Sequence, residues 1–331
     1  MSAVRVTGHL PHLPVGLFPT PLQALPALSA HLGGPRVLAK REDLSGLGAG
    51  GNKARKLGYL LADARERGAT VVLTSGGPQS NHCAQTACAA ARLGLPVELF
   101  LSGDDPGART GNLRVAALVD ARLVFTGVRE IAPVREQAHA RAADLRRAGE
   151  VPYVIDLGGS DPLSTAGYVS GVEEVARQMA GGAPPTHMVV AVGSVGTLAG
   201  LILGTWVVGV DCRVDGMSVL WSAARAGEVL EGILATARDR YFPDARRRAN
   251  YTITDAYLGE GYGWPTDAGR AASRTVARLE GIILDQTYTA KAMAGLIDGC
   301  RTGRYSAGDV VVFWHTGGLG GFFARDPTWS A

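Results

Sequence analysis

Lysine is scarce in this chain. Only Lys40, Lys53, Lys56 and Lys291 stand among 33 basic side chains, and arginine supplies the rest. Cysteine is scarcer than a metal or disulfide scaffold requires. Cys83, Cys88, Cys212 and Cys300 form no CxxC pair and no short His/Cys cluster, which argues against a structural zinc. Charge is low as well, at 19%, with a net of only +3 and no basic tract, so a nucleic-acid partner is not expected. The first residues lack the continuous apolar core of a secretory signal peptide, and the expected compartment is the cytoplasm. One stretch, 188–210, carries no formal charge and is long enough to span a bilayer. Five glycines interrupt it, and it reads better as a buried strand, a turn and a soluble helix, so no membrane partner is expected.

What is abundant is glycine, at 45 of 331 residues, about twice the usual share of about 7%. No collagen period accompanies it, so the glycines mark tight turns and loops approached closely by ligands. Short Val/Leu/Ile runs at 71–73, 97–101, 153–155, 188–192 and 311–314 alternate with helical patterns at 83–93, 109–119, 134–148 and 290–301. This is the rhythm of parallel α/β sheets, over a length of about two domains without a long linker. Residues 235–250, dense in arginine, read as a solvated helix or loop.

Four turns carry chemistry. In GGNKARKL, at 50–57, a glycine turn leads into a helix and sets Lys53 near its N-terminus, where the dipole and neighbouring Arg55 and Lys56 would depress an amine's pKa. For the octet alone, a surface cap with three exposed basic residues is the simpler account. In SGGPQSNH, at 75–82, a strand gives way to a helix whose first amides suit a carboxylate, with Ser80 and Asn81 able to bond oxygens. A plain loop with a serine cap competes with that reading, and His82 reads as helix-start packing. Gly193, Ser194, Val195, Gly196 and Thr197 form a further strand-to-helix turn, without a Walker lysine or a full GxGxxG pattern, fit for a single phosphate. Thr316 follows the strand at 311–314, at the end where ligands collect in open α/β sheets. Tyr262, flanked by glycines, and Tyr288 bring phenols that can donate protons.

Together with Thr20-Pro21-Leu22, the 40–44 segment, Gly158-Gly159-Ser160, the run 285–298 and His315-Thr316-Gly317-Gly318, these motifs make the chain resemble, over nearly its whole length, the D-cysteine desulfhydrase and 1-aminocyclopropane-1-carboxylate deaminase family. That family consists of pyridoxal-phosphate (PLP) enzymes of the tryptophan-synthase-β fold type. The resemblance implies PLP fold type II: two parallel-sheet α/β domains with the cofactor in the cleft between them. Residues 1–53 and 165–331 would form the large domain and 54–164 the small inserted one. It implies Lys53 as the Schiff-base lysine and Lys56 with the 193–197 loop on the phosphate. Asn81 would meet the ring hydroxyl, Gln79 and Ser80 the substrate carboxylate, Tyr262 and Tyr288 the reacting carbons, and Thr316 the pyridine nitrogen.

The activity so implied is α,β-elimination from D-cysteine or a related β-substituted amino acid, giving pyruvate, ammonia and sulfide, in a homodimer. A neutral hydroxyl at the ring nitrogen cannot hold it protonated by charge pairing, which favours prompt elimination. Tyr288-Thr289 and His315-Thr316 are closer to the desulfhydrase pattern than to the deaminase one. Val195, Ala84 and Gly320-Gly321-Phe322 depart from it, which leaves ring opening of the cyclopropane amino acid, L-cysteate cleavage and non-catalytic PLP binding as the alternatives.

Overall fold

The apolar runs form strands buried on both faces. In the computed structural model, which describes residues 6–324, β10 (Val310–His315) and β7 (His187–Val192) lie side by side at the centre of a six-stranded sheet. Val310, Val312 and Trp314 with Met188, Val190 and Val192 enter one core; Val311, Phe313, Val189 and Ala191 enter the other. Period-two alternation with both faces covered is what a parallel sheet between two helix layers requires.

The sheet runs β1 (Leu22–Ala24), β2 (Arg36–Arg41), β10, β7, β8 (Arg213–Ser218), β9 (Tyr251–Thr254); every pairing is parallel except β1 with β2. Helices α6 (Ala166–Gln178), α7 (Gly196–Val208) and α8 (Ala223–Tyr241) cover one face. The other is covered by α1 (Pro26–Leu32), α9 (Asp267–Glu280) and α10 (Thr289–Arg301). A second, wholly parallel sheet runs β5 (Arg122–Phe125), β4 (Val97–Leu101), β3 (Val71–Gly76), β6 (Pro152–Ile155). Its core lies under α2 (Lys53–Glu66), α3 (Asn81–Arg92) and α4 (Gly111–Leu118) on one face and α5 (Ile131–Arg147) on the other. A short helix, α11 (Leu319–Phe322), follows β10.

The uncharged stretch 188–210 divides into β7, a turn and the 13-residue α7, and no helix among the described residues is long and apolar enough to cross a membrane. A Cβ on Gly200 would lie 2.5 Å from the Cβ of Tyr168, so the small residues of α7 serve close packing on α6.

Candidate active site

The carboxyl ends of β3, β7 and β10 open on one cavity of about 310 Å³. Among its lining residues are Lys53, Ser80, Asn81, Gly193, Ser194, Val195, Thr197, Tyr262, Tyr288 and Thr316. A crevice at strand carboxyl ends is where this architecture binds ligands.

Helix α2 begins at Lys53 because the turn before it is locked. Gly51 sits at φ +132°, where a Cβ would lie 2.6 Å from Nε2 of Gln85. The backbone N–H of Asn52 donates to the carbonyl of Thr316 at 3.0 Å, and its Nδ2 to Oγ1 of Thr197 at 3.0 Å. The next residues are not the exposed basic cap that the octet permits, for Arg55 and Lys56 are both buried. Arg55 turns away from the cavity into an ion-pair cluster, its Nε 2.6 Å from Oε2 of Glu42 and its NH2 3.0 Å from Oε1 of Glu174. Burial alone would raise the Glu174 carboxyl, but Arg55 and Lys40 hold it below its usual range. The Lys53 amine donates to the carbonyl of Gly158 at 3.2 Å, and burial pushes its pKa from 10.5 down to about 8. The depression expected from the sequence is therefore present, but its cause is desolvation rather than Arg55 or Lys56.

Lys56 stands behind this surface. Its amine donates to the carbonyl of Gly158 at 3.2 Å and Oγ of Ser160 at 3.3 Å; burial, then Lys53, pushes it well below the ordinary lysine range. Ser160 was not among the residues expected to act. Its hydroxyl donates to Oγ of Ser194 at 2.8 Å and accepts from the N–H of Gly196 at 3.1 Å. A Cβ on Gly196 would lie 2.7 Å from the Lys56 amine, so only glycine lets that amine reach the turn. Helix α7 starts here without a side-chain cap, and its first N–H groups add positive potential. The result is an anion cradle.

Across the cavity, Ser80 caps α3, its Oγ accepting from the N–H of Cys83 at 3.2 Å. Asn81 accepts at Oδ1 from Nδ2 of Asn112 at 2.8 Å. The Gln79 side chain lies on the start of α4: Nε2 donates to the carbonyl of Thr110 at 3.1 Å and Oε1 accepts from the N–H of Asn112 at 2.9 Å. It is not among the cavity's lining residues. His82 is buried between Thr74, 2.8 Å from Nε2, and Thr86, 3.4 Å from Nδ1, and burial holds it well below the usual histidine pKa. Neutral and bonded at both nitrogens, it packs the helix start.

The two tyrosines meet, their hydroxyls 2.5 Å apart and their rings edge to face. Burial, then Tyr262, raises the Tyr288 phenol well above its ordinary value, so it stays protonated. Asp285 sets its position by accepting at Oδ2 from the N–H groups of Thr287 and Tyr288 and at Oδ1 from Thr289, at the start of α10. Lys291 ties the opposite loop by donating to the carbonyl of Gly261 at 3.0 Å. Arg129 and Ser102 also line the cavity, and no spacing signal in the sequence marked them.

Residues 14–317 match the model of the family described as pyridoxal-phosphate dependent enzymes. The chain belongs to that family. It is 38% identical to a D-cysteine desulfhydrase of Klebsiella pneumoniae (strain 342), over 99% of each chain. A solved structure described as an ACC deaminase homologue superposes with a TM-score of 0.90 at 36% identity, covering 97% of this chain and 95% of that one. A threonine deaminase of Solanum lycopersicum, 18% identical with a TM-score of 0.69 over 95% of this chain and 86% of that one, shares the fold. The protein is thus a PLP-dependent lyase of the D-cysteine desulfhydrase and ACC deaminase type, with two parallel-sheet α/β units of PLP fold type II. The residues present fit the coenzyme: a cavity amine of lowered pKa suits its aldehyde, and the uncapped start of α7 with the Lys56 amine suits its phosphate.

Proposed function

We propose that the protein eliminates the β-substituent of D-cysteine or a closely related amino acid, releasing sulfide, and that one water then hydrolyses the unsaturated remainder to pyruvate and ammonia. The observation that carries this reading is the convergence of the Lys53 amine, the Ser80–Asn81 helix start, the Tyr262–Tyr288 pair and Thr316 on one cavity. In the proposal Lys53 carries the coenzyme, and Lys56 with residues Gly193, Ser194, Val195, Gly196 and Thr197 holds its phosphate. Asn81 meets the ring oxygen and Thr316 the ring nitrogen. When bound, the coenzyme supplies an electron sink for a charge developing at the substrate's α-carbon.

The chain's own groups do the rest. Ser80 and the first amides of α3 hold the substrate carboxylate, and Gln79 contributes by fixing this turn on α4. The Lys53 amine would take the proton from the substrate's α-carbon. Tyr288, kept neutral by burial, donates to the departing sulfur, and Tyr262 orients its phenol. Asp285 is spent on capping α10, which leaves the neutral Thr316 hydroxyl as the group facing the ring nitrogen.

A second reading is favoured by one observation. Arg129 lines the cavity and has no hydrogen-bond or ion-pair partner among the described residues, so a β-substituent bearing negative charge, as in L-cysteate, has a counter-ion there. A product screen with D- and L-cysteine, L-cysteate, D-serine and the cyclopropane amino acid separates the readings. Sulfide and pyruvate in equal amounts from D-cysteine are expected. Sulfite from L-cysteate alone would transfer the assignment to the second reading, and 2-oxobutanoate without sulfide would overturn both.

The proposed division into 1–53 with 165–331 and an inserted 54–164 is supported by the strands, since β3 to β6 all fall within 71–155. A cytoplasmic homodimer completes the reading; the four cysteines, all free thiols, agree with a reducing compartment.

A further inference from the structure

Of the residues given roles in the proposed reaction, Asn112 touches two, Gln79 and Asn81. It is the second residue of α4, is buried, and is not among the cavity's lining residues. Its Nδ2 lies 2.9 Å from the carbonyl oxygen of Gln79 and 2.8 Å from Oδ1 of Asn81.

The chemistry of these partners fixes every orientation. A backbone carbonyl only accepts, so the end of the Asn112 amide facing Gln79 is the NH₂. That same NH₂ meets Asn81 and can only donate, so Asn81 must turn its oxygen toward it. The Asn81 NH₂ is then the end left for an acceptor in the cavity. Behind Asn112 stands α11: a Cβ on Gly320 would lie 2.3 Å from Oδ1 of Asn112, so glycine at that position is what lets the segment following Thr316 press on this side chain.

We propose that Asn112 is a positioning residue for the coenzyme, fixing Asn81 so that its NH₂ rather than its oxygen faces the coenzyme's ring oxygen, with Gly320 admitting α11 as the backstop. This rests on the reading of Asn81 as the ring-oxygen contact. A donor there favours the anionic form of the ring oxygen, and losing it raises the pH at which the bound coenzyme's visible band titrates.

The test uses the holoenzyme, reading the titration of that band and the coenzyme dissociation constant in Asn112→Ala, Asn112→Asp, Asn81→Ala and the double variant Asn81→Ala/Asn112→Ala. Each single variant is expected to shift the titration upward and weaken coenzyme binding about tenfold, the scale of one buried hydrogen bond. In the Asn81→Ala background, Asn112→Ala should add less than about twofold, because it acts through a group already removed. Asn81→Ala shifting the band while the Asn112 variants do not, or the two effects adding in full, would overturn the proposal and leave the Asn81 contact standing. An Asn81→Ala band identical to the parent's would remove the contact itself and the proposal with it. Should the Asn112 variants fail to fold, Gly320→Ala decides: the three atoms nearest to its Cβ all belong to Asn112, and the same upward shift supports the proposal while an unchanged band overturns it.

Discussion

At the scale of single residues, the Lys53 amine is governed by what surrounds it more than by what adjoins it in the chain. Its two basic neighbours on α2 are Arg55, neutralised by Glu42 and Glu174, and Lys56, itself driven toward neutrality by burial. With a pKa of about 8 instead of 10.5, the neutral, nucleophilic amine is roughly 300-fold more populated at pH 7. A prediction follows for coenzyme-free protein mixed with PLP. Recapture of the coenzyme should quicken about tenfold per pH unit below 8 and level off above it. Stopped-flow absorbance measures this, and a rate still climbing through pH 10 would return Lys53 to an ordinary surface pKa.

At the scale of elements, the turn before α7 holds the clearest departure from local preference. Val195 has φ +69°, a left-handed conformation that a β-branched residue adopts only at a cost of about 1 to 3 kcal/mol, yet its side chain is buried in the core with Leu198. Two effects therefore oppose each other at this position. Val195→Gly removes both the strain and the packing; Val195→Ala removes packing, worth about 1.5 to 3 kcal/mol for a whole valine, and keeps a Cβ in the left-handed region. Thermal unfolding should rank the glycine variant no less stable than the alanine one. An alanine variant more stable by several degrees would show that the backbone strain is negligible.

Elements also mark what the sequence made legible. The strands at 71–76, 97–101, 187–192 and 310–315 were readable because runs dominated by apolar residues, Glu98 the one formal charge among them, are what a sheet buried on both faces demands. β8 was not, because Arg213–Ser218 has only Val214 and Met217 as apolar residues, with Asp215 between them. That carboxylate is buried against Arg304 at 2.9 Å, Tyr305 at 3.1 Å and Thr252 at 2.6 Å, partners distant in sequence, with Arg213 of the same strand 3.8 Å away. Helix α2 takes in the basic residues from Lys53 onward, with Lys53 half-buried and Arg55 and Lys56 buried, a burial that the sequence of the octet does not announce. The site divides in the same way. Turns at strand ends announced Lys53, Ser80, Asn81, Gly193 to Thr197 and Thr316. Ser160 and Asn112 act through contacts across the fold that no spacing encodes, and the same is true of the fate of Gln79, whose amide is consumed by α4; Arg129 lines the cavity from a segment that carries no motif, and Asp285 acts on the residues just after it.

At the scale of the whole molecule, α2 joins the two sheets. It contributes Leu57, Leu60 and Leu61 to the core of the small sheet, while its Arg55 anchors in the Glu42 and Glu174 carboxylates beside β2 and α6. The helix that presents Lys53 is thereby fixed to both halves, and the cavity lies where the loops of both sheets face one another. In the proposed reaction this one amine carries the coenzyme. Because the chain has only four lysines, reduction of the holoenzyme with borohydride followed by peptide mass mapping reads the claim directly. A pyridoxyl group is expected on Lys53 and on no other lysine. A pyridoxyl group found on Lys40, Lys56 or Lys291, or on none of the four, would contradict it.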